Sequence, residues 1–257
     1  LYYGPQGVVI RTWDGTKTAD FINIGRYDEV RAMTADPASG RLLWSQLNNY
    51  QGLHLGRAER DGRILPGLRF DFASEFPAGA FEIARAVMIK QGQSVADAAP
   101  WGLAAVQTGH FPDDSGLKPG DVLIADSGHR NFGVVQSAPG LWRSRADSDA
   151  PAQRLATLPE EHHFPLDVAV ARSGVFLLNR SETIPSQPEG HGWNKESRIF
   201  RWDGTSLQHC LLRQPLHDPS GIAADPLSTD LYAIQGALLP SASIAFQRVV
   251  RLRLVAP

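Results

Sequence analysis

The sequence predicts an all-β fold, a single β-propeller domain over residues 1–257 with about five to six four-stranded blades. Three observations carry this expectation. A strand–turn–strand unit recurs along the chain, the first segment of each unit is built from small residues, and stretches with helical periodicity are few.

The units open at Val30 (VRAMTADPASGRLLWS), at Pro100 (PWGLAAV, rejoined by GDVLIADSGHRN from Gly120), at Phe164 (FPLDVAVARSGVFLLNRSE) and at Asp218 (DPSGIAADPLSTDLYAIQG). Each reads as a strand of small or apolar residues, a turn, and a second apolar strand ending in a polar cluster. Small residues suit strands that crowd a central axis, where large side chains find no room. This favours radial packing over a solenoid, which would share the periodicity. Trp44, Leu123, Phe176 and Tyr232 are expected at equivalent second-strand positions.

The units also close alike. VVIRTWDG (Val8–Gly15), LHLGRAERDG (Leu53–Gly62), SRIFRWDG (Ser197–Gly204) and RVVRLRL (Arg248–Leu254) alternate apolar with polar residues, the period of a strand with two different faces. Asp-Gly closes three of them and supplies a tight turn into the next strand. The N-terminal segment provides the later strands of a further blade, and the C-terminal segment stops at a third strand. Insertions are expected at 72–99, 107–119 and 183–196, longer than a compact repeat needs.

Composition narrows the function classes. With 42% hydrophobic residues the chain can bury a large core, and a net charge of -2 gives no general attraction to nucleic acid or anionic membrane. The apolar runs are far shorter than the roughly 18 residues of a membrane-spanning helix. The one cysteine, Cys210, excludes an internal disulfide and reads as a small apolar residue. The sequence starts LYYGPQG, and a processed or exported protein, periplasmic or secreted, is the expectation. No nucleophile elbow, phosphate loop or dinucleotide fingerprint appears in a suitable context.

DPASGRLLWS with its closing Asp-Gly resembles the YWTD-type propeller repeat, and GDVLIADSGHRN resembles the NHL-type repeat. The resemblance implies a propeller of the six-bladed superfamily, a fold that serves many unrelated tasks. The aspartate that the pattern carries after its second strand is Asp126, with Gln46 at that place in the first unit and Arg180 in the third. Gly128–Asn131 (GHRN) is also similar to a loop of quinone-dependent sugar dehydrogenases whose histidine is the base, but Phe132-Gly133 follows and the structural turn is the preferred reading. Lactonase and regucalcin-like propellers take metal ligands from Glu-Gly-Pro and Pro-Asn-Gly. Here Tyr3-Gly4-Pro5 and Pro219-Ser220-Gly221 stand instead.

In a propeller, the loops leading into the blades and those after their second strands gather on one face around the axis. The candidate ligand-binding residues there are His129, Arg130, His162, His163, Asn179, Arg180, Glu182 and His217. Adjacent residues of an extended chain point in opposite directions, so His162-His163 does not make two ligands to one ion. Asp113-Asp114 lacks the alternating oxygen spacing of a dedicated calcium loop, so no cofactor is expected, with a divalent cation such as calcium held as the exception. Arginines and tryptophans of the outer strands, among them Trp202 and Arg251, are candidates for a protein interface. The expected function is a non-catalytic binding or assembly module contacting a protein, peptide or carbohydrate. The alternative is a hydrolase or lyase with a polar, histidine-bearing site at the central opening.

Overall fold

A computed structural model describes residues 2–4, 7–25, 28–48, 52–68, 100–107, 116–126, 129–130, 136–137, 139–158, 163–181, 196–213, 216–217, 219–225, 228–237 and 246–253. The chain begins with a three-stranded antiparallel sheet, β1 (Tyr2–Gly4), β2 (Gly7–Trp13) and β3 (Thr18–Gly25). The first blade follows in the order β4 (Asp28–Ala35), β5 (Leu42–Asn48), β6 (Gly52–Ala58) and β7 (Ile64–Leu68).

The second blade opens with β8 (Pro100–Ala105) and β9 (Asp121–Asp126), and its chain then passes through a short hairpin, β10 (His129–Arg130) with β11 (Gln136–Ser137). β12 (Gly140–Arg145) and β13 (Gln153–Thr157) complete it. The third blade comprises β14 (His163–Ala171), β15 (Gly174–Ser181) and β16 (Glu196–Trp202), with an outer strand in two pieces, β17 (Leu207–Cys210) and β18 (Leu216–His217), both paired to β16. The fourth is described as β19 (Pro219–Ala224), β20 (Leu231–Ala237) and β21 (Phe246–Leu252). The described residues thus form a propeller arrangement with four blades that have their own inner strand, beside the N-terminal sheet. The segments 72–99, 108–115 and 183–195 lie outside the described residues.

The blades stack face to face, and each interface is its own apolar core. Ile10 and Ile22 of the N-terminal sheet pack on Val30 and Trp44. Leu43 and Leu55 meet Val122, Ile124 and Trp142. Leu123 and Leu141 meet Val168, Leu177 and Trp202. Phe176 and Ile199 meet Ile222, Leu231 and Ala233. Because neighbours along a strand point to opposite faces, Val122 and Ile124 serve one interface while Leu123 and Ala125 serve the next. β9 is accordingly buried along its whole length. Each Leu or Ile fully buried this way contributes roughly 1.5–3 kcal/mol.

The tight turns repeat in atomic detail. Asp14 Oδ1 accepts the N–H groups of Thr16 and Lys17, both at 2.8 Å, and Asp203 Oδ1 accepts those of Thr205 at 2.9 Å and Ser206 at 2.8 Å. The glycines that follow share φ +101, a conformation that a side chain resists. Both carboxyls are held below the usual range, by the Lys17 and Ser206 amides first.

Two expectations are corrected. Leu123, Phe176 and Tyr232 lie opposite Arg143, Arg201 and Arg251, but the residue opposite Arg57 is Leu43, so Trp44 sits one position out of register. The cause is turn length. The first blade turns over Asp36–Gly40 and keeps Arg41 before β5, whereas the third turns over Arg172-Ser173 alone. Trp202 is not a surface residue: it is 5% exposed, in the core between the second and third blades, whereas Arg251 is exposed as expected.

Candidate functional site

The four inner strands β4, β8, β14 and β19 begin at the same end of the molecule and break in the same way. Val30, Pro100, Pro165 and Pro219 pair with Gln46, Asp126, Asn179 and Gln235, and the next ladder pairs are Ala32 with Ser45, Gly102 with Ala125, Asp167 with Leu178 and Gly221 with Ile234. One residue per strand, Arg31, Trp101, Leu166 or Ser220, is left over as a β-bulge. Proline opens two of these strands, β8 and β19, and stands just before the bulge in β14 as well, because it has no N–H to leave unpaired, and the bulge re-aims the chain around the axis.

Side chains from neighbouring blades stitch the inner strands together. Ser45 Oγ accepts the Ala32 N–H at 2.9 Å and donates to the Trp101 carbonyl at 3.2 Å, joining the first blade to the second blade's bulge. Thr34 Oγ1 accepts the Ala105 N–H at 3.2 Å. Asp167 Oδ2 accepts the Ile222 N–H at 3.0 Å, across to the fourth blade, while Oδ1 accepts the Val168 N–H at 2.9 Å. Where the other blades carry Ala32, Gly102 and Gly221, the third blade thus places a carboxyl. Burial pushes Asp167 up from the ordinary value to about 6, against the lowering effect of the Ile222 and Val168 amides.

The polar residues at the second-strand ends follow the same register. Asp126 and Asn179 are both fully buried. Asp126 Oδ2 accepts the Trp142 indole N–H at 2.9 Å, which fixes the third strand of its own blade. The third-blade counterpart of Asp126 is Asn179, not Arg180 as sequence alignment of the repeats suggests, because Asp126 pairs with Pro100 and Asn179 with the equivalent Pro165.

Several residues expected in loops lie on strands. His129 and Arg130 form β10, opposite Ser137 and Gln136. His163 opens β14 opposite Ser181, and Asn179 and Arg180 belong to β15. His217 belongs to β18, opposite Glu196. Polar segments read as loops because they lack apolar alternation, yet a backbone ladder needs no apolar side chain. His162, Glu182 and Asp113-Asp114 lie outside the described residues, as do the side chains of His129, Arg130, His163, Arg180 and His217. The backbone puts His129, His163, Asn179, Arg180 and His217 at the end where the inner strands begin. Among the described residues no group of three or more His, Cys, Asp and Glu side chains is placed to hold a metal ion. Cys210 is half-buried on β17, and burial raises its thiol. No described helix is long and apolar enough to cross a membrane.

Asp167 was missed by sequence reasoning. Its signal is the alignment of PWG, PLD and PSG at the strand openings, where one small residue gives way to aspartate.

No family model matches the chain, and no curated protein does. The chain is similar to solved structures of glucose dehydrogenases. One aligns at 14% identity and TM-score 0.43, over 81% of this chain and 57% of the other. A second aligns at 14% identity and TM-score 0.44, over 81% of this chain and 63% of the other. The chain therefore spans less than two thirds of the length of either.

Proposed function

We propose that the protein is a binding module whose working surface is the end of the propeller where the inner strands begin, and that it takes a carbohydrate, a peptide or an extended segment of a partner protein. The observation that carries this reading is the bulge repeated at one register in four blades. The backbone there is constant, while the extra residue changes from Arg31 to Trp101, Leu166 and Ser220. A scaffold that keeps its backbone constant and varies the residue type at one register is how recognition surfaces gain specificity. Trp101 offers an aromatic ring and Ser220 an exposed hydroxyl, which suit a ligand with both polar groups and a stacking face. His129, His163, Arg180 and His217 belong to the same end and are proposed as its outer contacts, with His162 and Glu182 beside them in the sequence.

The test is titration of the protein with a panel of neutral oligosaccharides and unstructured peptides, read by tryptophan fluorescence. Trp101→Ala and a His163→Ala/His217→Ala double variant should each weaken binding at least tenfold with the fold unchanged. Binding that survives both, but is lost on altering Arg251 at the outer edge, overturns the reading in favour of a rim interface.

A second reading, a hydrolase or lyase, is favoured by Asp167. A carboxyl poised near 6 at the axis is suited to moving a proton at neutral pH. It predicts turnover of a lactone, ester or glycoside that falls away with Asp167→Asn while ligand affinity stays.

A further inference from the structure

The turn at the far end of the second blade encloses a cleft of about 550 Å³, within the size range of small-ligand sites. Gly116, Lys118, Asp121, Arg143, Arg145 and Gln153 are among its lining residues. It stands at the end where β9 begins and β12 ends, opposite the strand openings of the proposed binding surface, and shares no residue with it.

The charges in this cleft are unequally committed. Arg145 is matched: its Nε and Nη2 donate to Asp147 at 2.9 and 3.0 Å, and its Nη1 donates to Asp121 at 3.4 Å. Asp147 holds that guanidinium above its ordinary value and is itself held below the carboxylate range by it. Arg143 is different. Its Nη1 donates to the Gly116 carbonyl at 3.2 Å and its Nη2 to Gln153 Oε1 at 3.1 Å, both neutral acceptors. These bonds orient the guanidinium without neutralising it, and of its five N–H donors three remain. Lys118 is exposed, its backbone N–H is anchored to Asp121 Oδ2 at 2.8 Å, and its ammonium has no partner among the described residues. The cleft thus holds one oriented, uncompensated guanidinium and one exposed ammonium.

We propose that this cleft is a second binding site, separate from the axial surface, for the oxyanion of a small molecule, a phosphate ester or a carboxylate, with Arg143 as the oriented donor and Lys118 as the closing cation. A planar fork held by neutral acceptors is preorganised for a carboxylate or phosphate edge, and charge-assisted hydrogen bonds are roughly twice as strong as neutral ones. Asp121 and Asp147 are already engaged by Arg145, so they do not cancel the charge on Arg143.

Isothermal calorimetry of the intact protein at low ionic strength, with inorganic phosphate in one arm and acetate in the other, tests this. Saturable 1:1 binding is expected in at least one arm, and the stronger arm identifies the ligand group. Arg143→Gln should weaken it at least tenfold and Lys118→Gln severalfold, while Lys17→Gln, an equal loss of charge elsewhere, leaves it unchanged. Absence of saturable binding in both arms overturns the proposal, as does wild-type affinity in the Lys118→Gln protein. Should Arg143→Gln fail to fold, Lys118→Gln decides alone, since the exposed ammonium supports no other group. Neither arm involves the axial residues, so failure here leaves the proposed function standing, and the reverse.

Discussion

A Cβ added to Gly102 would lie 2.3 Å from the Cα of Asp167, so the inner strands of the second and third blades meet backbone to backbone. No rotamer change relieves a clash with main chain. Gly102→Ala should therefore cost at least about 2–3 kcal/mol, the upper range for overpacking. Gly221→Ala provides the contrast, because its Cβ would meet only Asp167 Oδ2 at 3.4 Å and Ile234 Cδ1 at 3.6 Å, ordinary contacts. Urea denaturation of the two variants checks the pair. Equal losses would mean that the inner strands do not close most tightly at Gly102.

Asp167 makes stability depend on pH in an unusual direction for a carboxyl. Its value in the folded protein, about 6, lies above the ordinary 3.8. The folded state therefore binds the proton more tightly than the unfolded state. The corresponding stabilisation is fully present below about pH 4 and is lost as pH rises through about 6, a change of up to about 3 kcal/mol from this group alone. Asp167→Asn should flatten stability between about pH 4 and pH 6. Its amide oxygen still accepts one backbone N–H, but its NH₂ faces the other donor, so the level of the flat curve falls below that of the protonated wild type. Denaturation at pH 4, 5, 6 and 7 is the measurement, and an unchanged slope would assign the titration elsewhere.

Arg57 cross-links the first two blades outside the apolar core. Only 2% exposed, it donates from Nε to the Pro66 carbonyl at 2.8 Å, from Nη1 to the Ser148 carbonyl at 2.6 Å, and from Nη2 to Asp149. Arg41 adds a donor to the Ala146 carbonyl at 3.0 Å while pairing with Glu59. Arg57→Ala removes the cation together with its charge-assisted hydrogen bonds to the Pro66 and Ser148 carbonyls, with an expected loss of about 1.5–3 kcal/mol. Asp149→Ala should matter far less, because Asp149 is 86% exposed and water replaces it. Thermal unfolding of both variants distinguishes a lock made by backbone carbonyls from one made by an ion pair.

How far these features were legible in sequence depends on whether they repeat. Small inner-strand residues, alternating third strands and Asp-Gly turns recur, so AMTAD, GLAAV, DVAVA and GIAAD identify the axis before any coordinates do. Features that break the repeat were not legible by the same logic. Trp44 was misplaced by one because turn lengths differ between blades. Trp202 was put on the surface because its strand is exposed at Arg201 on one face and buried on the other. Asp167 was hidden because its neighbours Leu166 and Val168 read as an ordinary core run, and only its partner on another blade gives it a role. The contacts of Arg57 with Ser148 and Asp149 join residues about 90 positions apart, beyond any local pattern.

Two tryptophans on third strands should respond unequally to the same substitution. Trp142 is fully buried, donates its indole N–H to the buried Asp126, and carries the Arg154 guanidinium over its ring at 4.2 Å. Trp142→Phe removes the donor and leaves a buried carboxylate oxygen short of a partner, at a cost of about 1–3 kcal/mol besides the lost ring contact. Trp202 is buried in the next interface, but its indole N–H has no acceptor among the described residues. Trp202→Phe removes a polar group already left unsatisfied, which offsets much of the cavity left by the smaller ring. Its loss should stay below about 1.5 kcal/mol, the range of tolerated apolar exchanges. Guanidinium denaturation at pH 7 compares them, and Asp126→Asn provides the internal check. That variant keeps an acceptor for Trp142, so it should lose less stability than Trp142→Phe. If Trp202→Phe proves as costly as Trp142→Phe, ring volume rather than the Asp126 hydrogen bond governs both sites.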